Sequence, residues 1–174
     1  MRRALFVGRF QPFHLGHLEV CRRILAENDA LVIAIGSAES SHSLVNPFTA
    51  GERYAMIEAA CAEADLDRVA IIPLPDVNRN AIWVSHVRSL VPPFEVLYSN
   101  NPLPRRLFAE AGFEVRDAPF HERARYEGTR IRHAMVADGD WEHDVPRGVA
   151  RVIREIGGVD RVQMLARSDA VDKP

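Results

Sequence analysis

The chain has 174 residues, 47% of them hydrophobic and 26% charged, with a net charge of −2; that is enough apolar material for one ordinary globular domain with a core. Without a basic excess no nucleic-acid surface is expected, and positive potential must come from a few placed arginines. No stretch approaches the ~20 apolar residues of a membrane span, the run after Arg2-Arg3 is too short for a signal peptide, and Cys21 and Cys61 lack metal or redox spacing, so a cytoplasmic protein with two buried thiols is expected.

The first element is an apolar strand over residues 4–7. It passes through Gly8-Arg9-Phe10-Gln11-Pro12-Phe13-His14-Leu15-Gly16-His17 into a helical pattern carrying Leu18, Cys21 and Leu25. His14 and His17 share one face of the first helical turn. There the free N–H groups and the positive end of the helix dipole favour an anion. With Arg9 leaving the strand and Gly16 leaving room for close approach, the stretch reads as a phosphate site.

Residues 30–35 make a second, buried strand ended by Gly36, and a Ser-rich loop over 37–46 follows, with Ser37 and His42. Thr49-Ala50-Gly51-Glu52 spells a capping box for a helix with Tyr54, Ile57 and Cys61 on one stripe and Arg53 within reach of an anion. A third strand over 69–73 leads to the loop 75–80, and a helix over 81–90 stops before Pro92-Pro93. The fourth strand covers 94–99, a helix over 104–111 ends at Gly112, and the fifth strand covers 113–119.

Glu127-Gly128-Thr129-Arg130-Ile131-Arg132 then opens a helix, with Thr129 as N-cap and Arg132 one turn in, a second anion site facing the first. Arg130 is placed to pair with Glu127. The patterns over 146–156 and 159–166 are short helices parted by Gly157-Gly158, and 168–174 is a frayed end. Trp141 lacks the amide neighbours and strand-end setting of Trp83 and reads as structural.

This alternation predicts an α/β, Rossmann-like parallel sheet of about five strands with helices on both faces. It occupies a domain over residues 1–145, with a small helical C-terminal extension over 146–174 packed on it. Ligands in such sheets bind beyond the carboxyl ends of the strands, which selects the loops 9–17, 37–46, 76–83, 99–102 and 121–132. A P-loop, a Gly-x-Gly-x-x-Gly after the first strand, a His-Glu-x-x-His and a nucleophile elbow are all missing from the sequence.

The stretch from Gly8 to His17 resembles the His-x-Gly-His signature of the nucleotidyltransferase superfamily, and more closely the archaeal-type nicotinamide mononucleotide (NMN) adenylyltransferases. Gly36-Ser37-Ala38, Ser41-His42-Ser43, Pro47 through Arg53, Tyr98-Ser99-Asn100-Asn101-Pro102 and Thr129 with Arg132 match further, so the resemblance spans roughly residues 2–162. The chain departs from the pattern at Asn100, where relatives have Gly and where Asn tolerates a positive φ. It departs again at Glu127, commonly a small hydroxyl residue, and at Arg130, commonly acidic.

The resemblance implies an adenylyltransferase fold and the joining of ATP and NMN into NAD and pyrophosphate, by in-line attack of the NMN phosphate on the ATP α-phosphorus. It implies catalytic roles for His14, His17 and Arg132, and ATP contacts from Arg9, Phe10, Gly16, His17, Asn101, Thr129 and Arg132. NMN contacts would come from Ser37, His42, Asn80 and Trp83; a cationic nicotinamide ring suits an indole face and an amide, although Trp83 also fits as a core aromatic of its helix. Mg²⁺ would ride mainly on the substrate phosphates, with no protein ligand. No nucleic-acid or membrane partner is implied, and the assembly would be a homo-oligomer, a hexamer. Two alternatives stay open. One is the same transfer to another acceptor, such as nicotinic acid mononucleotide, phosphopantetheine or FMN, with Arg79 available to an acid. The other is a nucleotide-binding sensor without turnover, which a carboxylate at Glu127 would favour.

Overall fold

Five parallel strands, β1 (Arg3–Gly8), β2 (Ala30–Ile35), β3 (Val69–Pro73), β4 (Val96–Tyr98) and β5 (Glu114–Arg116), are ordered β3-β2-β1-β4-β5. The computed structural model describes residues 1–119 and 126–171, so the part of the expected site loop over 121–125 and the tail end 172–174 lie outside the described residues. The connections are α1 (Leu15–Glu27), α2 (Ala50–Glu63), α3 (Asn80–Leu90) and α4 (Pro102–Glu110). After β5 come α5 (Gly128–Val136), a single 3-10 turn at Glu142–Asp144, α6 (Arg147–Glu155) and α7 (Gly158–Val171).

Alternation along the central strands builds two apolar layers. Ala4 and Phe6 of β1, with Leu31, Ile33 and Ile35 of β2, face a core shared with α1, α2, α5 and the C-terminal helices. Leu5, Val32, Ala34 and Leu97 face the other way, toward Val87 of α3 and Phe108 of α4. Both faces of β1 and β2 are therefore buried, which explains their unbroken apolar runs. Successive strands step away from β1 in one direction through β2 and β3 and in the other through β4 and β5. The reversal leaves a crevice at the carboxyl ends of β1 and β4, where such sheets bind ligands.

Several boundaries differ from expectation. β4 and β5 are shorter than the spans 94–99 and 113–119; at their carboxyl ends, past the Ser99 N–H bond to the Arg116 carbonyl, the ladder passes to a side chain. Asn100 donates from Nδ2 to the Ala118 carbonyl at 2.8 Å and accepts from the Ala118 N–H at 3.0 Å. Asn100 does not adopt a positive φ. α4 begins at Pro102, two residues early, since Asn101 caps it by accepting from the Leu103 N–H. Tyr54 is exposed; the buried stripe of α2 is Arg53, Met56, Ile57, Ala60 and Cys61.

The C-terminal helices pack on the sheet domain, α6 against α2 and α7 against α5. Arg161 of α7 donates twice to the carboxylate of Glu52, at 2.7 and 2.8 Å, and once to the Pro47 carbonyl. Trp141 is buried in the core. Arg130 pairs with buried Asp144 of the 3-10 turn, not with Glu127. Cys21 and Cys61 are free and buried. Among the described residues no helix is long and apolar enough to cross a membrane.

Candidate active site

Gly8 ends β1, and the chain turns through Phe10, which holds φ 53°, and a cis Gln11–Pro12 peptide into α1. His14 is the N-cap of α1. Its Nδ1 accepts the His17 N–H, while Nδ1 of His17 accepts the His14 N–H, each at 3.3 Å, so two imidazoles form the capping box. The rings stack 3.5 Å apart at 19°. Because each Nδ1 is an acceptor, each neutral ring carries its proton on Nε2 and can donate it. Burial pushes His14 down to about 3. Burial, and then the neighbouring His14, hold His17 well below the usual histidine range.

The two rings are not equally accessible. His17 is half-buried and lines a hollow of about 340 Å³ with Gly8, Ser99, Asn100, Asn101 and Pro102. His14 is only 3% exposed, lying between His17 and the Tyr126 ring, whose centroid is 6.4 Å away. A Cβ on Gly16 would come within 2.9 Å of Tyr126 Cβ and 3.2 Å of the His14 ring. Gly16 thus makes room for these two side chains, where a space for phosphate is expected from the sequence. Phe10 is buried, its ring edge-on to His17 at 4.9 Å. It supports that imidazole.

Arg132 and Thr129 come to the same turn from α5. Arg132 donates from Nη1 to the Gln11 carbonyl at 2.7 Å and from Nη2 to Thr129 Oγ1 at 3.3 Å. Burial first, and then the charge of Arg9, lower its pKa, so two guanidinium groups share one end of the crevice. Thr129 is not the N-cap: the helix starts two residues earlier than that cap would set it, at Gly128, with Glu127 as N-cap and without a side-chain cap bond. Gly128 allows this start, since a Cβ there would press to 3.0 Å from the Gln11 carbonyl.

A second hollow, of about 280 Å³, opens where β3 ends. Asp76, Arg79, Asn80 and Trp83 wall one side; Asn101, Leu103 and Leu107 wall the other. Asn101 lines both hollows, so they are neighbouring compartments. Trp83 meets Phe108 edge-on at 5.6 Å while its remaining surface faces the hollow, so it serves core and cavity together. Ser37 and His42 line neither hollow. Ser37 donates to Asp76 Oδ2 at 2.7 Å, and exposed His42 lies with Nδ1 2.9 Å from Ser41 Oγ.

Two residues organise the site in a way the sequence does not show. Gln11 is buried and clamps the segment before α2, donating to the Phe48 carbonyl at 2.9 Å and accepting the Phe48 N–H at 3.0 Å. Arg53, expected to reach an anion, is instead fully buried and bonded to backbone carbonyls. A polar residue in a turn and an arginine beside Glu52 carry no sequence signal for such burial.

Residues 5–134 match the cytidylyltransferase-like family model. The chain is 54% identical over 170 residues to the nicotinamide-nucleotide adenylyltransferase of Methanothrix thermoacetophila, covering 97% of this chain and 99% of that one. It is 52% identical over 167 residues to the nicotinamide-nucleotide adenylyltransferase of Thermoplasma volcanium, covering 96% and 94%. Its fold is similar to that of a bifunctional NMN adenylyltransferase/ADP ribose pyrophosphatase from Francisella tularensis solved with AMP and a manganese ion. That match has a TM-score of 0.82 at 23% identity, covering 98% of this chain and 53% of that one. At such identity the likeness speaks for the fold alone.

Proposed function

The chain belongs to the cytidylyltransferase-like family, and from that premise, with archaeal relatives at just over half identity, we propose that it transfers the adenylyl group of ATP to NMN. The products are NAD and pyrophosphate, which makes the protein a nucleotidyltransferase of NAD biosynthesis. An oxygen of the NMN 5′-phosphate attacks the α-phosphorus; that P–O bond forms while the bond to the bridging oxygen of pyrophosphate breaks. A phosphate monoester is already largely ionised at pH 7, so no general base or protein nucleophile is required.

The observation that carries this reading is the neutral histidine pair capping α1, with His17 opening onto a compartment that adjoins the Trp83 hollow through Asn101. We assign Nε2–H of His17 to the reacting phosphates, with His14 behind it as a second donor. Arg9 and Arg132 supply charge to the triphosphate, and the N-terminus of α5 with Thr129 holds its far end. Asn101 faces the nucleotide between the two compartments, and Asn80 and Trp83 receive the nicotinamide. Catalysis is then positioning plus stabilisation of charge developing on phosphorus and on the leaving group. Glu127 is exposed, where solvent screens its repulsion of the triphosphate.

The crevice offers guanidinium, imidazole and amide donors, and among the described residues no group of three His, Cys, Asp or Glu able to hold a metal. That donor set fits a magnesium ion that arrives on phosphate oxygens and keeps its waters. The chemistry such an ion would supply when bound is neutralisation of phosphate charge. From the resemblance we also infer a homo-oligomer, a hexamer, in the cytoplasm. The packing of α6 on α2 and of α7 on α5 supports one folding unit through the tail.

The test is pyrophosphate release from ATP and Mg²⁺ with NMN, run beside nicotinic acid mononucleotide, phosphopantetheine and FMN. The expected result is strong release with NMN and NAD as product. Faster release with the acid would move the acceptor assignment to Arg79. ATP binding without any release would establish the sensor reading.

A further inference from the structure

Arg53 is the largest completely buried side chain among the described residues, at 0% exposure, and it sits in the first turn of α2 behind the site just described. Its guanidinium donates at 2.8 to 3.4 Å to five backbone carbonyls: Thr49 from Nε, Arg9 and Gly36 from Nη1, and Ser37 and Ser40 from Nη2. These acceptors belong to three separate stretches, the turn leaving β1, the loop leaving β2, and the entry to α2. No carboxylate lies within salt-bridge distance of it among the described residues; Glu39 acts on it only from further away. Buried charges are ordinarily paired, whereas this guanidinium is held at bonding distance by carbonyl dipoles. Arg9, whose carbonyl it holds, and Arg132 bring two more cations to the same turn.

We propose that Arg53 is a positioning residue for the phosphate site, fastening the Arg9 turn to the Ser37 loop with a cation that no ion pair cancels. On the proposed adenylyl transfer, one residue then fixes the spacing between the triphosphate end and the loop beside the NMN hollow. It also adds positive potential under the phosphates without touching them. A planar fork is required, because the bonds diverge in one plane toward three stretches of chain. Lysine keeps the charge and loses that geometry; glutamine loses both.

The test compares R53K and R53Q with the wild-type enzyme, whose own NAD synthesis establishes the reaction independently. Each is assayed for kcat and both KM values at a temperature below its melting midpoint, and for affinity toward ATP and adenosine by calorimetry. R53K is expected to lose kcat about ten-fold or more while keeping the ratio of ATP to adenosine affinity within about twofold. R53Q is expected to lose kcat as well and to lower that ratio about ten-fold. Wild-type kcat in folded R53K, or ATP and adenosine weakened in parallel in R53Q, would overturn the proposal. Should R53Q not fold, R53K alone decides, since a residue needed only for folding would leave kcat of the folded lysine variant unchanged.

Discussion

His14 and His17 each cap the other's backbone N–H at 3.3 Å, with their rings stacked 3.5 Å apart. The exchange uses both Nδ1 atoms, so it excludes protonation there and leaves two Nε2–H donors at the start of α1. Replacing His17 with alanine removes the donor that opens onto the hollow. We expect kcat to fall on the order of 10²-fold or more, as loss of one transition-state donor does elsewhere, with about 1 kcal/mol lost from stability with the cap. Steady-state kinetics decide; near-normal kcat would mean that the imidazole serves the fold only.

The same pair makes the ligand-free protein sensitive to acid. Folded His14 titrates at about 3, whereas an unfolded histidine titrates near 6.5. As pH falls below 6.5 the unfolded chain binds protons that the native state refuses. The contribution is therefore intact above about 6.5 and is lost progressively toward 3, at no more than about 1.4 kcal/mol per pH unit for one imidazole. Urea unfolding at pH 7, 6, 5 and 4 should show a shallower decline for His14→Asn, which retains a capping oxygen, than for wild type. Parallel curves would contradict the burial argument.

Trp83 divides its surface between Phe108 and the second hollow. Trp83→Ala is expected to raise KM for NMN about ten-fold, the value of one good ring contact, and to leave KM for ATP within about twofold. Equal increases in both would assign Trp83 to packing alone.

Arg161 and Glu52 are each only 18% exposed and meet through two short bonds. The Arg161 hydrogen bonds hold Glu52 below the ordinary carboxylate range. Because that pKa is depressed, the contribution is present above the unfolded value and fades as pH falls through the folded one. Arg161→Ala leaves a half-covered carboxylate and frees α7, so it should cost about 2 kcal/mol at pH 7. A loss under about 0.5 kcal/mol in chemical denaturation would show that α7 is held by its apolar face.

The fold and the histidine turn were legible because they rest on short-range rules. Apolar runs separated by helical periods, and Thr49 with Glu52 three residues apart, are local facts, and the structure repeats them. What escaped depends on approach between distant segments. Arg53 reads as an arginine within reach of an anion until the carbonyls of Arg9, Gly36 and Ser37 converge on it. Thr129 is the better capping residue than Glu127, yet contact between Gly128 and the Gln11 carbonyl sets the helix start. Tyr54 fits the apolar stripe of α2 by spacing but faces solvent, since Arg53, Met56 and Ile57 already fill the buried face. Ser37 and His42 reach the right end of the sheet and stop outside the hollows, because loop geometry is not written in residue type.

The most direct measurement is the stereochemical course at the α-phosphorus, using one diastereomer of ATP with a sulfur on that phosphate, NMN as acceptor and the wild-type enzyme. A crevice that offers donors and cations, with no activated nucleophile among the described residues, predicts a single in-line displacement, hence NAD carrying the sulfur with inverted configuration. Retention would require a second displacement through a covalent adenylyl-enzyme and would contradict the account, as would sulfur left in nucleotide that never joins NMN.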